Sequence, residues 1–183
     1  FIGVGIFNAV ATWLDSILTK FGHGGLSGPL IALTTVAGIA GAAVLPGIVT
    51  ARDRRRGMLV AATVTTAVAF ALLALAHAPA VFGVALAVEG FVLLACLPVA
   101  LEWSEVHVGP ARAGTATGAL LLAGNLGGVV LVLVVQAVVG SPYAALLVMA
   151  AAALPGIVIA LRLPGAQQAP GLQDPVSAQA PIS

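Results

Sequence analysis

Charge is what this chain has least of. Only 7% of its residues are Asp, Glu, Lys or Arg, against roughly 25% in a soluble globular domain. That leaves too little polar surface to face water on every side. Aromatic residues are scarce at 5%, and a single cysteine, Cys96, lies inside an apolar run, which excludes an internal disulfide framework. His23, His77 and His107 fall in different connecting stretches, a spacing that offers no metal site. There is no phosphate-cradling glycine loop, and "RDRRR" is too short for a nucleic-acid patch. Neither a cofactor nor an enzyme activity is implied. In return the chain is 61% hydrophobic, with a mean hydropathy of +1.16. It reads as a polytopic membrane protein. It starts at Phe1, already in an apolar stretch and with no basic leader, so the expectation is a fragment with further sequence upstream.

A spanning helix needs about 20 predominantly apolar residues. Six runs meet or approach that length, at 1–19, 28–50, 58–77, 80–101, 115–139 and 144–161. Gly, Pro and charged residues punctuate the stretches between them. The runs are long, rich in Ala and Leu and free of alternation, which predicts helices rather than strands. The stretch 163–183 places Pro164, Pro170, Pro175 and Pro181 among Gln, Ala and Ser. It has too little apolar surface to order itself and is expected to be a disordered tail.

Cation placement predicts orientation. Arg52, Arg54, Arg55, Arg56, Arg112 and Arg162 follow runs two, four and six, whereas Lys20 alone follows runs one, three or five. Both ends of the chain are then cytoplasmic in a plasma-membrane protein, and "KFGHGGLS", "HAPA" and "GSPY" face outside.

The polar residues inside the runs are candidates for function. Asn8, Thr12 and Asp15 recur at i, i+4 and i+7 and share one helix face. Glu89 lies in run four; Asn125 and Gln136 lie in run five, near one line with Gly114 and Gly118. A carboxylate at the centre of a spanning helix costs about 2.5–3.5 kcal/mol. A cavity holding water, a cation or a polar solute relieves that cost. Runs three and six lack such residues, and Thr63, Thr65 and Thr66 are expected to bond back to their own helix. The expectation is that helices one, two, four and five share an interior while three and six face lipid. Two three-helix inverted repeats produce that pattern. Gly124–Gly128, Gly114–Gly118 and Gly38–Ala42 read as close-packing pairs.

"LPGIVTARDRRRG", Leu45 to Gly57, resembles the signature loop of the major facilitator superfamily, with Gly47, Asp53, Arg54, Arg55 and Arg56 in the matching places. Asp53 follows Gly47 by six residues where that family usually has four, and the motif's second Gly is missing. The resemblance implies a cytoplasmic gate at these residues. It also implies that residues 1–162 are the C-terminal six-helix half of a twelve-helix transporter, with an absent N-terminal half and a small solute or ion as partners. "PVALEWSEVHVGPARAG" and the following helix resemble, more narrowly, the branch related to the feline leukaemia virus subgroup C receptor, at Pro98, Val99, Glu102, Glu105, Pro110, Gly114 and Gly118.

Two alternatives stand beside transport. "GGLSG" resembles the G-x-S-G string of rhomboid intramembrane proteases, although Ser27 follows the first run and no histidine lies within an apolar one. The other alternative is a non-transporting membrane receptor or sensor. The sequence favours alternating-access transport, with Asn8, Thr12, Asp15, Glu89, Asn125 and Gln136 lining the cavity.

Overall fold

The computed structural model describes residues 2–52 and 54–163. The expectations placed on Asp53 and on the tail from 164 onward therefore lie outside the described residues. Those residues form six α-helices and no strand: α1 (Ile2–Lys20), α2 (Ser27–Ala51), α3 (Arg55–Leu75), α4 (Pro79–Val108), α5 (Ala113–Val138) and α6 (Pro142–Arg162). Five of them, α2 to α6, are long and apolar enough to cross a membrane. This is an all-helical, multi-pass membrane protein. The polar-striped α1 is not among the five.

Local sequence accounts for the breaks. Pro79 and Pro142 open α4 and α6, where a missing N–H costs nothing. The Ser141 hydroxyl caps α6 by accepting from Ala144 N at 3.4 Å. α4 stops at Gly109, whose φ of 76° lies in the left-handed region. The expected span ended at Leu101, but the helix runs on to Val108. Nothing in "EWSEVHV" breaks a helix, so Glu102 and Glu105 stand on α4 rather than in a loop.

α1 and α4 lie between the pair α3–α6 on one side and α2 and α5 on the other. α2 packs on α4, α5 on α1, α3 on both α6 and α4, and α6 on α1. Ile6, Leu14 and Leu18 of α1 meet Phe70, Leu86 and Met149 in the main core. Val36, Ile39, Leu122, Val129 and Ile159 face outward, a surface suited to lipid. One expectation needs correcting here: α3 is the most enclosed of the five membrane-length helices and α2 the least. The strongly polar residues mark where chemistry sits. Enclosure is set instead by small apolar positions such as Ala62, Ala69, Ala145 and Ala153, which carry no polar signature.

Two seams between parallel helices are built on glycine. Added Cβ atoms on Gly41 and Gly90 would collide with the backbones of Phe91 and Thr34, respectively, so α2 and α4 touch main chain to main chain. Gly38 meets the Leu94 side chain and the Gly90 carbonyl. The expected pair Gly38–Ala42 is thus Gly38–Gly41, with Gly90 opposite. On the other seam Gly5 packs on Gly127 and Gly128, and the Trp13 indole donates to Val132 O at 3.1 Å.

Candidate functional site

α1 turns its apolar side into the core, while Thr12 and Asp15 remain exposed and Asn8 is half-buried. The Thr12 hydroxyl donates to Asn8 O at 2.7 Å. Ser27, at the first position of α2, donates to Asp15 Oδ1 at 2.7 Å. The Asn8 amide lies over Gly128, where an added Cβ would come within 2.7 Å of its Nδ2. Asn125 and Gln136 are exposed on α5, and the Asn125 amide donates to Leu121 O at 2.9 Å. The structure therefore assembles Asn8, Thr12 and Asp15 as an open polar stripe, with two further amides on the helix packed beside it.

Glu89 does not join them. It is 3% exposed, and its Oε1 lies 2.7 Å from the Thr66 hydroxyl of α3. The expected cavity position is corrected by helix geometry. Gly90 faces α2, and the preceding residue lies about 100° round the helix, which turns Glu89 towards α3. Thr66 also keeps the expected back-bond, 2.9 Å from Ala62 O; its second contact was invisible without the packing.

Arg55 and Arg56, two of the residues expected as a gate, join a cluster around Glu102 at the end of the bundle where α2 gives way to α3. Arg55 donates to Glu102 Oε1 at 2.8 Å, and Thr50 of α2 donates to Glu102 Oε2 at 2.9 Å. The Arg56 guanidinium donates to the Leu161 carbonyl at the end of α6, where the helix dipole favours a cation. Four helix ends meet through these contacts. Arg54 and Gly47 are exposed, and an added Cβ on Gly47 would meet nothing within 4 Å. Glu102 was visible in the sequence only through the narrower resemblance, because its reach to Arg55 depends on the unbroken end of α4. Side-chain exposures of 16% for Arg55 and 40% for Glu102 place the pair partly in water, where ion pairs contribute about 1 kcal/mol or less. A double-mutant cycle with Arg55→Ala and Glu102→Gln, read by unfolding in detergent, is expected to give a coupling of about 0.5–1 kcal/mol.

A cluster that the sequence did not announce closes the opposite end. Phe21 stacks near His77, with ring centroids 4.2 Å apart, and meets Tyr143 edge-on at 5.3 Å and Phe82 at 6.1 Å. His23 Nε2 lies 2.9 Å from His77 O, and Lys20 donates to Gly140 O at 2.7 Å. All three connecting stretches expected to share a side meet here. The available signal was one aromatic ring in or beside each: "KFG" and "SPY", with "HAPAVF" between. At this end Ser27 is bonded to Asp15, and the two histidines face backbone carbonyls, so no Ser–His pair forms among the described residues.

No protein-family model matches the chain, and no solved structure matches it. It is 35% identical over 140 residues to an uncharacterized protein of Archaeoglobus fulgidus, a match covering 74% of this chain. The chain spans 63% of that relative's length.

Proposed function

We propose that this chain is half of an alternating-access transporter of the major facilitator type, carrying a small solute along the open face of α1 and α5. The carrying observation is the pattern of helix contacts. Exchanging α1 with α4, α2 with α5 and α3 with α6 turns every contacting pair into another contacting pair. The two parallel glycine seams, α2–α4 and α5–α1, are counterparts under the same exchange. "AGIAGA", Ala37 to Ala42, and "AGNLGG", Ala123 to Gly128, supply equivalent small residues. Units of three helices alternate in direction, so such repeats are inverted in the membrane, the architecture of many secondary transporters.

The stripe gives this frame a place for substrate. Polar side chains in a spanning bundle face protein or water rather than lipid, and Thr12 and Asp15 are exposed among the described residues, with Ser27 at the start of α2 bonded to Asp15. A second six-helix half, docked across α2 and α5, would enclose them. The inner cluster around Glu102 and the outer cluster around Phe21 then act as the two gates, with the arginine-rich end cytoplasmic by cation placement.

Accessibility tests this without a known substrate. In a Cys96→Ser background, Thr12→Cys in the intact protein is reconstituted in sealed vesicles and exposed to a maleimide that does not cross membranes. Labelling from both faces is expected. Labelling confined to one face under every condition removes alternating access.

A further inference from the structure

We infer that Glu89 and Thr66 form a buried proton-binding site at the α3–α4 seam, loaded at neutral pH and emptied only when that seam parts. The inference does not rest on the transport reading. It starts from a count of hydrogens. Thr66 Oγ1 lies 2.9 Å from Ala62 O and 2.7 Å from Glu89 Oε1, yet a hydroxyl has one proton to donate. Ala62 O only accepts. Short of sharing that one proton between two acceptors, both contacts are full hydrogen bonds when Glu89 is the neutral acid, donating its own proton from Oε1 to Thr66, which donates to Ala62. The remaining oxygen, Oε2, is buried without a partner among the described residues. In the neutral acid it is an unpaired carbonyl oxygen. In the ion it is an unpaired charge, a far more costly thing to bury.

The surroundings offer no counter-charge. α4 packs against α1, α2, α3 and α5. Neither α2 nor α5 carries an ionisable side chain. On α3 the ionisable groups are Arg55 and Arg56, in its first turn. Eleven residues separate Arg55 from Thr66, about 16 Å of helix, and Arg55 is engaged by Glu102. On α1, Asp15 is bonded to Ser27 and Lys20 to Gly140 O at the outer end. α4 itself adds the Cys96 thiol two turns on, then Glu102, Glu105 and His107 near its end. Leu86 and Leu93, which flank Glu89 on its own helix, are buried and apolar.

The seam has one firm side and one loose side. α4 is held to α2 by direct backbone contact at Gly41 and Gly90. Between α3 and α4, by contrast, runs an apolar groove of about 590 Å³, lined only by residues of those two helices, including Thr65 and Val88 beside the acid–hydroxyl pair. Parting α3 from α4 along this groove brings water to Oε2, and the proton leaves to that water. Ionisation and seam opening are therefore linked, each favouring the other.

Infrared difference spectra of the intact protein in lipid vesicles test both parts. A carboxylic-acid carbonyl band is expected at neutral pH, lost in Glu89→Gln, shifted in Thr66→Val and retained in Thr66→Ser. As pH rises and the band disappears, labelling of Cys96, which packs beside Met58 of α3, should rise several-fold relative to Glu89→Gln at the same pH. Absence at neutral pH of any acid band that depends on Glu89 overturns the site. If the band is lost while the Cys96 labelling ratio stays flat, the link to the seam is overturned. The Thr66 variants report on the same band should Glu89→Gln not fold.

Discussion

Gly41→Ala is expected to destabilise the protein by at least about 3 kcal/mol, at or beyond the upper end of overpacking costs, and to reduce the yield of folded protein in detergent. The sign is opposite to the ordinary one. In a helix interior, replacing Gly by Ala usually stabilises by about 0.5–1 kcal/mol, because the alanine chain has less freedom to lose. At Gly41 the added methyl would overlap the Phe91 carbonyl, and a main-chain oxygen within a helix cannot step aside by changing rotamer. α2 must lift from α4 instead. Gly90→Ala meets the Thr34 backbone from the other side and should behave alike.

Two controls bracket that result. Gly47→Ala, six residues further along α2 with nothing within 4 Å of the new methyl, should gain about 0.5–1 kcal/mol. Gly128→Ala meets the end of the Asn8 side chain at 2.7 Å and the Gly5 backbone at an ordinary 3.6 Å. The amide can swing away, so the change should lie between the extremes. Unfolding midpoints in a mixed-detergent titration rank all four. If Gly41→Ala matches or exceeds the wild type, the backbone seam is wrong.

Phe21→Ala should cost about 2–4 kcal/mol, somewhat less than emptying a fully buried site, because Phe21 is half-buried. Its ring is the shared member of the aromatic cluster, touching His77, Phe82 and Tyr143. Aromatic pairs contribute about 0.5–1.5 kcal/mol beyond the area they bury. Removing the ring leaves the three connections joined by the edge-on His77–Tyr143 contact and the Lys20–Gly140 and His23–His77 bonds. Phe21→Leu keeps much of the apolar volume and should lose about half as much. Tryptic cleavage after Lys20 gives a local reading, fast in Phe21→Ala and slow in the wild type. Equal cleavage rates would mean that the cluster does not hold this end.

The six helices were legible because apolar run length and its punctuation report directly on what a bilayer tolerates. α4 and α6 begin at Pro79 and Pro142, close to the expected starts at 80 and 144, whereas α4 runs past its expected end at Leu101 to Val108. The Asn8–Thr12–Asp15 stripe was legible for a similar reason: helical spacing depends only on the local backbone. The partners of Glu89 and Arg55 were not. Thr66 is 23 residues from Glu89, and Glu102 is 47 from Arg55; no periodicity connects such positions. Phe21, His77 and Tyr143 were equally silent, since three loops become neighbours only after their helices pack.

The sequence alone determined that this chain crosses a membrane repeatedly as helices, because burying so much apolar surface with so little charge has few other solutions. It also determined which residues share a face within each helix. Only the tertiary structure decided which way each face points. Two glycine seams set the rotation of α4 and α1 about their axes, and one step along α4 from Gly90 turned Glu89 away from the open stripe and into a dry contact with Thr66.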